Sequence, residues 1–176
     1  DVDLLLDPDG AIPADDESFD GVLSTQVLEH VAAPAAYLRE CRRVLKPSGS
    51  LVLSTHGTWE EHGLVDFLRW TADGLVAQIE RAGFRMERCV KPTGDERAVL
   101  ALLRRQSRAT AWPLWHPVGF LLRALRWVDR LRPAWFDGYA DRYFPQPEGR
   151  DGRGPRLYLA VIVVARPSES PAPPAS

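Results

Sequence analysis

Short unbroken apolar runs stand at Val2–Leu6 and Leu51–Leu53, and a third, with Phe19, Val22 and Leu23, ends in the polar Ser24, Thr25 and Gln26. Runs of this length read as strands buried in a sheet. Between the second and third strands in the chain, Tyr37, Leu38, Cys41, Val44 and Leu45 recur at spacings of three and four. That period is one apolar stripe on a helix, and Arg39, Glu40, Arg42 and Arg43 occupy the opposite face. Pro34 suits the first turn of such a helix, and Lys46-Pro47-Ser48-Gly49 stops it and supplies the turn into Leu51. Strand, helix and strand within residues 19–55 predict one parallel βαβ crossover. It winds right-handed in a sheet with both faces covered, and its ligand crevice lies at the strands' carboxyl ends.

The same reasoning extends downstream. Thr71 has the chemistry of an N-cap for a helix reaching Ala82, with Leu75, Val76 and Ile79 apolar and Gly83 just past the end. Phe84–Val90 reads as a strand, and the wholly apolar LYLAVIVVA at 157–165 as another that closes the sheet. Residues 95–156 predict a helix over Arg97–Arg105, breaks at Pro113 and Pro117, and a second helix over Val118–Leu131. On the second helix Leu121, Leu125 and Val128 line one face with Phe120, Ala124, Trp127 and Leu131 beside them; Arg123, Arg126 and Arg130 gather on the other. A helix packed on its own domain with a solvated arginine face is the commoner outcome; the other reading is peripheral contact of 118–131 with an anionic membrane or a lipid-like acceptor. One short basic helix without a recognised module gives no support to nucleic acid as a partner.

Composition changes this picture little. Apolar residues make up 45% and charged residues 26%, ordinary values for a globular domain. No apolar run approaches the roughly 18 residues of a membrane span and the N-terminus is not signal-like, so a cytoplasmic location is expected, peripheral at the membrane if the basic helix binds one. Charge is more informative. Residues 1–66 hold 13 acids and 4 bases, the rest 11 acids and 18 bases, so the net −2 hides −9 against +7. The basic part is where an anionic substrate or surface would be met. Cys41 and Cys89 form neither a disulfide framework nor a metal motif. None of the four histidines stands at metal-ligand spacing, so no metal is expected.

The stretch SFDGVLSTQVLEHV, followed by YLRECRRVLKPSGSLVLSTHG, resembles the central part of the class I methyltransferases that use S-adenosyl-L-methionine. It is closest to the bacterial branch in which Leu-Glu-His follows the fourth strand, and HGLVDFLRWTADGLVAQIERAGF is similar to the segment after the fifth strand of that branch. The matches run from about residue 2 to 91. The resemblance implies an α/β Rossmann-like three-layer sandwich, mostly parallel, with an antiparallel last strand beside the fifth and next to the sixth. Residues 1–94 would be the C-terminal portion of the methyltransferase core, 95–156 a helical insertion or acceptor-side cap, 157–165 the closing strand and 166–176 a disordered tail. No Gly-x-Gly-x-Gly turn occurs; Gly149, Gly152 and Gly154 lie in a late loop. An N-terminally truncated domain, missing the first two strands and the glycine-rich loop and weakly active at best, is therefore expected. The other reading is a chain complete as it stands.

On this resemblance the loop Asp7-Pro8-Asp9-Gly10 lies under the cofactor's adenine, with Asp7, then Asp9, as acceptor for the exocyclic amine; both acids also suit a plain Asx turn. Thr25 and Gln26 would touch the amino-acid or ribose portion, or simply begin the next loop. His30, after Glu29, is either a wall of the active site or, more commonly for such a residue, hydrogen-bonded into the backbone. His56 and His62 are the candidates for catalytic base, because a neutral imidazole takes a proton from a hydroxyl near neutral pH. Trp59, Asp66 and Arg69 stand on the acceptor side, where Gly63-Leu64-Val65 replace the prolines and aromatic usual in the related branch. Asp15, Asp16 and Glu17 read as a solvated turn. The expected activity is methyl transfer to an oxygen, nitrogen or carbon of a small-molecule, glycan or lipid-linked acceptor. The alternative is a non-catalytic interaction module that binds a partner or membrane through the basic, tryptophan-rich region; a nucleotide-binding oxidoreductase domain fits the Leu-Glu-His run less well.

Overall fold

The computed structural model describes residues 10–92 and 157–168, and between them residues 98, 99, 101–103, 105, 117, 120, 123, 124 and 127. The expected strand Val2–Leu6, the candidates Asp7 and Asp9, most of helix 118–131 and the tail beyond residue 168 lie outside the described residues.

Alternating side chains bury one face of the central strands. Strand β1 is Phe19–Thr25, helix α1 Pro34–Val44, strand β2 Leu45–His56, helix α2 Ala72–Arg81, strand β3 Phe84–Val90 and strand β4 Ala160–Pro167. The sheet runs β1-β2-β4-β3. β1 and β2 are parallel, with Val22 opposite Leu51 and Ser24 opposite Leu53. β4 is antiparallel to both β2 and β3, with Leu53 facing Val163 and Cys89 facing Val163. Leu51 and Leu53 of β2, Val161 and Val163 of β4, Leu38 of α1 and Leu75 and Ile79 of α2 are fully buried in one core. Each such leucine contributes about 2 kcal/mol through lost contact with water. Leu23, on β1, the end strand of the sheet among the described residues, is 72% exposed.

Two sequence expectations are corrected. Lys46–Gly49 is no turn between helix and strand, because β2 begins at Leu45, directly after α1. Leu45 pairs with Phe19 and the ladder resumes at Ser50 opposite Gly21, so these residues bulge out of the sheet. A bulge suits Pro47, which has no N–H to give a ladder. It also requires glycine at 49, where an added Cβ would stand 2.9 Å from Leu45 Cδ2 and 3.1 Å from the Asp20 carbonyl oxygen. The closing strand, expected at 157–165, is Ala160–Pro167, and Arg166 and Pro167 pair with Arg85 and Phe84 instead of opening the tail. Pairing with β3 supplies these two residues with a partner that composition does not show.

Arg43 fixes the loop that enters this frame. Arg43 donates to both Glu40 oxygens at 2.8 Å, to the carbonyls of Ala14 and Ile12 at 2.8 Å and to Asp16 at 2.6 Å, holding the loop that leads into β1. Asp16 of the expected solvated turn is thus tied to α1. These bonds hold the Glu40 carboxyl down to about 2 and push the Arg43 guanidinium up. Burial pushes the Cys41 thiol up to about 11 and the Cys89 thiol up as well, and both cysteines are free. No helix among the described residues is long and apolar enough to cross a membrane.

Candidate active site at the carboxyl ends of β1 and β2

β1 ends in a backbone conformation that few side chains favour. Gln26, the residue after the strand, has φ +53°, in the left-handed region where a non-glycine residue is strained by about 1 kcal/mol. Its N–H donates to Ser54 O at 2.9 Å and its side-chain Nε2 to Ser54 Oγ at 3.1 Å, so both backbone and side chain are clamped to β2. What remains is Gln26 Oε1, buried and without a hydrogen-bond partner. Such strain and such an orphan acceptor collect at binding sites. Thr25 beside it is exposed. Gly10, at φ +84°, is buried where its Cβ would meet Tyr37 Cβ at 3.4 Å, and Tyr37 donates its hydroxyl to Ser24 Oγ at 3.0 Å. Burial pushes the Tyr37 phenol up to about 12. Gly10, Ser24, Thr25 and Gln26 therefore converge on the carboxyl end of β1.

The chain next makes a 3₁₀ turn, Leu28–His30, that buries Glu29 completely. Thr55, the penultimate residue of β2, donates its hydroxyl to Glu29 Oε2 at 2.8 Å. Glu29 Oε1 has no hydrogen-bond partner, and His56 Nε2 stands 3.5 Å away. His56 is stacked on Trp59, ring centroids 5.3 Å apart and nearly parallel, and meets His62 edge-on at 4.7 Å. Burial lowers the His56 pKa, with Glu29 opposing and His62 and Arg69 reinforcing the shift. His62 also packs against His30 at 4.9 Å. Three of the four histidines thus share one cluster.

The loop from Gly57 to Trp70 closes over this cluster. Trp70 N–H returns to the His56 carbonyl at 3.0 Å, and Phe67 N–H donates to the Glu29 carbonyl at 2.8 Å. His30 Nδ1 bonds the Val65 carbonyl, so His30 engages a backbone group of the loop across 35 residues of chain. Gly63 is at φ +74°, the conformation that calls for glycine, and its missing Cβ leaves 3.5 Å to His30 Cε1. Arg69 grips Asp66 with two bonds of 2.5 Å and reaches the carbonyls of Trp59 at 3.1 Å, Glu60 at 2.6 Å and Leu68 at 2.9 Å. That grip holds the Asp66 carboxyl well below the usual range and raises Arg69. Asp66 in turn accepts from the His62 N–H at 2.9 Å and lies 3.0 Å from His62 Nδ1. Leu64, Val65 and Phe67 of this loop are exposed. Of the residues expected on the acceptor side, Asp66 and Arg69 are tied to each other and to the loop backbone, while the Trp59 ring stacks on His56. Arg105 pairs with Glu60 and covers the Trp59 ring at 5.1 Å.

Sequence reasoning set Glu29 beside His30, as a pair that the resemblance places near the cofactor and that helps hold the loop, but missed Thr55 and Tyr158 as parts of this site. Tyr158 anchors the far end: its hydroxyl accepts from Ala72 N–H at 2.6 Å, at the start of α2, while its carbonyl accepts from Thr58 N–H at 2.8 Å. Glu29 carried a signal, since a glutamate inside an otherwise apolar run is expensive to bury without partners.

Residues 4–53, which include β1, the crossover helix and most of β2, match a family model described as a methyltransferase domain. Among curated proteins the chain is 51% identical over 91 residues to a ubiquinone biosynthesis O-methyltransferase of Dinoroseobacter shibae, covering 42% of this chain and 37% of that protein. It is 34% identical over 102 residues to a tRNA U34 carboxymethyltransferase of Saccharophagus degradans, covering 51% of this chain and 31% of that one. The chain thus spans well under half the length of these curated relatives. Among solved structures it resembles an S-adenosylmethionine-dependent methyltransferase from Mesorhizobium loti, TM-score 0.50 at 17% identity, over 91% of this chain and 66% of that chain. The [4+2]-cyclase SpnF shares the fold too, at TM-score 0.52 and 17% identity over 94% of this chain and 55% of its own, so the fold does not by itself fix the reaction. The matched segment builds the parallel crossover, so over residues 4–53 the chain is similar to a methyltransferase domain, and its sheet with the antiparallel closing strand has the fold of the solved structures it resembles.

Proposed function

We propose that the chain serves S-adenosylmethionine-dependent methyl transfer to an oxygen of a small-molecule acceptor, at the crevice formed by the carboxyl ends of β1 and β2. The observation that carries this reading is Gln26: a strained residue between the matched strands, with a buried carbonyl oxygen lacking a partner. Such an oxygen fits the ammonium or hydroxyl donors of the cofactor. Gly10, Thr25, Gln26 and His30 would line the cofactor, together with Asp7 or Asp9 from the preceding loop. S-adenosyl-L-methionine, when bound, supplies an electrophilic methyl group. The protein's part is to hold the acceptor at attack distance and keep water out. His56, at the end of β2, or His62, on the covering loop, would take the acceptor's proton. An oxygen acceptor is supported by the relatives named as O-methyltransferases. The exposed Leu64, Val65 and Phe67 suit an acceptor with apolar surface, of which a lipid-linked molecule is one kind.

The test is release of S-adenosylhomocysteine when the chain is incubated with S-adenosylmethionine and a panel of phenols, sugars and lipid-linked phenols. Acceptor-dependent release that falls at least tenfold in Gln26→Ala supports the reading. Release no faster than in buffer with every acceptor, by a protein that is folded by circular dichroism, contradicts it.

A further inference from the structure

We infer that Glu29, His56 and His62 form a binding site for a divalent metal ion of the zinc class, beneath the loop that covers the crevice. One donor atom from each of the three lies within 4.8 Å of the others. The distance from Glu29 Oε1 to His56 Nε2, 3.5 Å, is too long for a good hydrogen bond. It is nevertheless close to the separation of about 3.4 Å that two ligands adopt around a tetrahedral zinc ion with bonds of about 2.1 Å. Glu29 is fully buried, and Oε1 has no hydrogen bond. A buried carboxyl oxygen of this kind is costly unless something electropositive meets it, and a cation shared with two imidazoles does so.

The surroundings are those of a ligand set. Glu29 is oriented by Thr55 on its other oxygen; Asp66, itself fixed by Arg69, accepts from the His62 backbone N–H at 2.9 Å and stands 3.0 Å from His62 Nδ1, which makes no hydrogen bond. Histidines that bind metals are commonly oriented through the second nitrogen by a carboxylate, and ligating carboxylates are themselves hydrogen-bonded. Two histidines and one glutamate leave a fourth position open, the donor count of a catalytic rather than a structural zinc site. For its role, though not for its existence, the site rests on the methyl-transfer reading: an acceptor oxygen at the open position would be acidified there, and His56 would act as a ligand in place of a base. The sequence hides the set because its members stand 27 and 6 residues apart, on three different elements.

The test titrates zinc into the chelator-treated chain against a chromophoric chelator, with no cofactor present. One equivalent of zinc should bind, and His62→Ala and Glu29→Gln should each weaken it at least tenfold. His62 lies on the covering loop, so His62→Ala keeps the test alive if Glu29→Gln fails to fold, as judged by circular dichroism. Zinc binding that is absent, or unchanged in folded His62→Ala, overturns the site. Failure of the methyl-transfer reading is separately visible: a chain that binds zinc through these residues yet releases no S-adenosylhomocysteine keeps the site and loses the activity.

Discussion

Thr55 donates its hydroxyl to Glu29 across the top of the parallel pair, at 2.8 Å and with both side chains fully buried. This bond joins the end of β2 to the turn after β1, so it couples the two strand ends that form the crevice. Thr55→Val preserves shape and removes the donor from a buried carboxyl. It should lower unfolding free energy by about 2 kcal/mol, whereas Thr55→Ser, which keeps the hydroxyl and loses a methyl group, should cost about 1 kcal/mol. Urea denaturation of both variants checks the order. Valine being tolerated as well as serine would show that the bond contributes little.

Gly57 sits where β2 leaves the sheet, against Tyr158. A Cβ there would come within 2.6 Å of the Tyr158 ring and 2.7 Å of its carbonyl oxygen, and the carbonyl cannot swing aside without disturbing its bond from Thr58. Gly57→Ala is expected to destabilise by about 2 kcal/mol through overpacking. Gly21→Ala, whose nearest neighbour would be Ser50 O at 3.8 Å, should change stability by less than about 1 kcal/mol. Thermal unfolding of the two variants side by side gives the comparison.

Acid should loosen the loop before β1. In the folded protein the Arg43 hydrogen bonds hold Glu40 down to about 2, against an ordinary value of 4.5. A depressed folded value means that the stabilisation is fully present above about pH 4.5 and is lost as pH falls through about 2. Melting temperatures of the wild type and Glu40→Gln should therefore differ most above pH 4.5, converge as the pH drops, and coincide below about 2. A gap that stays constant over this range would rule out the linkage.

Much of the fold was legible because its signals are local. Thr71 caps α2 by accepting from Gly74 N–H at 3.1 Å, Gly83 takes φ +90° just past the helix, and Phe84–Val90 is a strand as expected. Pro34 opens α1, and Val22 lies beside Leu51 in parallel register. What was not legible depends on partners distant in sequence. Lys46–Gly49 looks like any Pro-Gly turn until β1 supplies the strand it bulges against. Arg43 looks like a surface charge and Arg69 like an acceptor-side residue, yet each uses its guanidinium to tie a loop together. His30, His56 and His62 have no common spacing, and only the loop from Gly57 to Trp70, folding back on Glu29, brings them together.

Arg69 provides the clearest separation of framework from chemistry. Arg69→Lys retains the charge but cannot reproduce the paired bonds to Asp66 or the reach to Trp59 and Glu60. The loop should become more mobile without loss of the sheet: amide exchange is expected to rise at least tenfold for Phe67 and Trp70, whose N–H groups bond Glu29 and His56, and to stay unchanged for Leu51 and Leu53. Uniform exchange increases across β2 would instead make Arg69 part of the global fold.

The most direct test of a cofactor crevice at the carboxyl ends of β1 and β2 is an NMR titration of the ¹⁵N-labelled chain with S-adenosylhomocysteine, which registers even weak binding. Amide shifts are expected at Gly10, Thr25, Gln26 and His30, saturating together, with Leu45 and Val44 at the opposite edge unmoved. No shift at Thr25 and Gln26 at millimolar ligand, or shifts confined to the opposite edge, would contradict it.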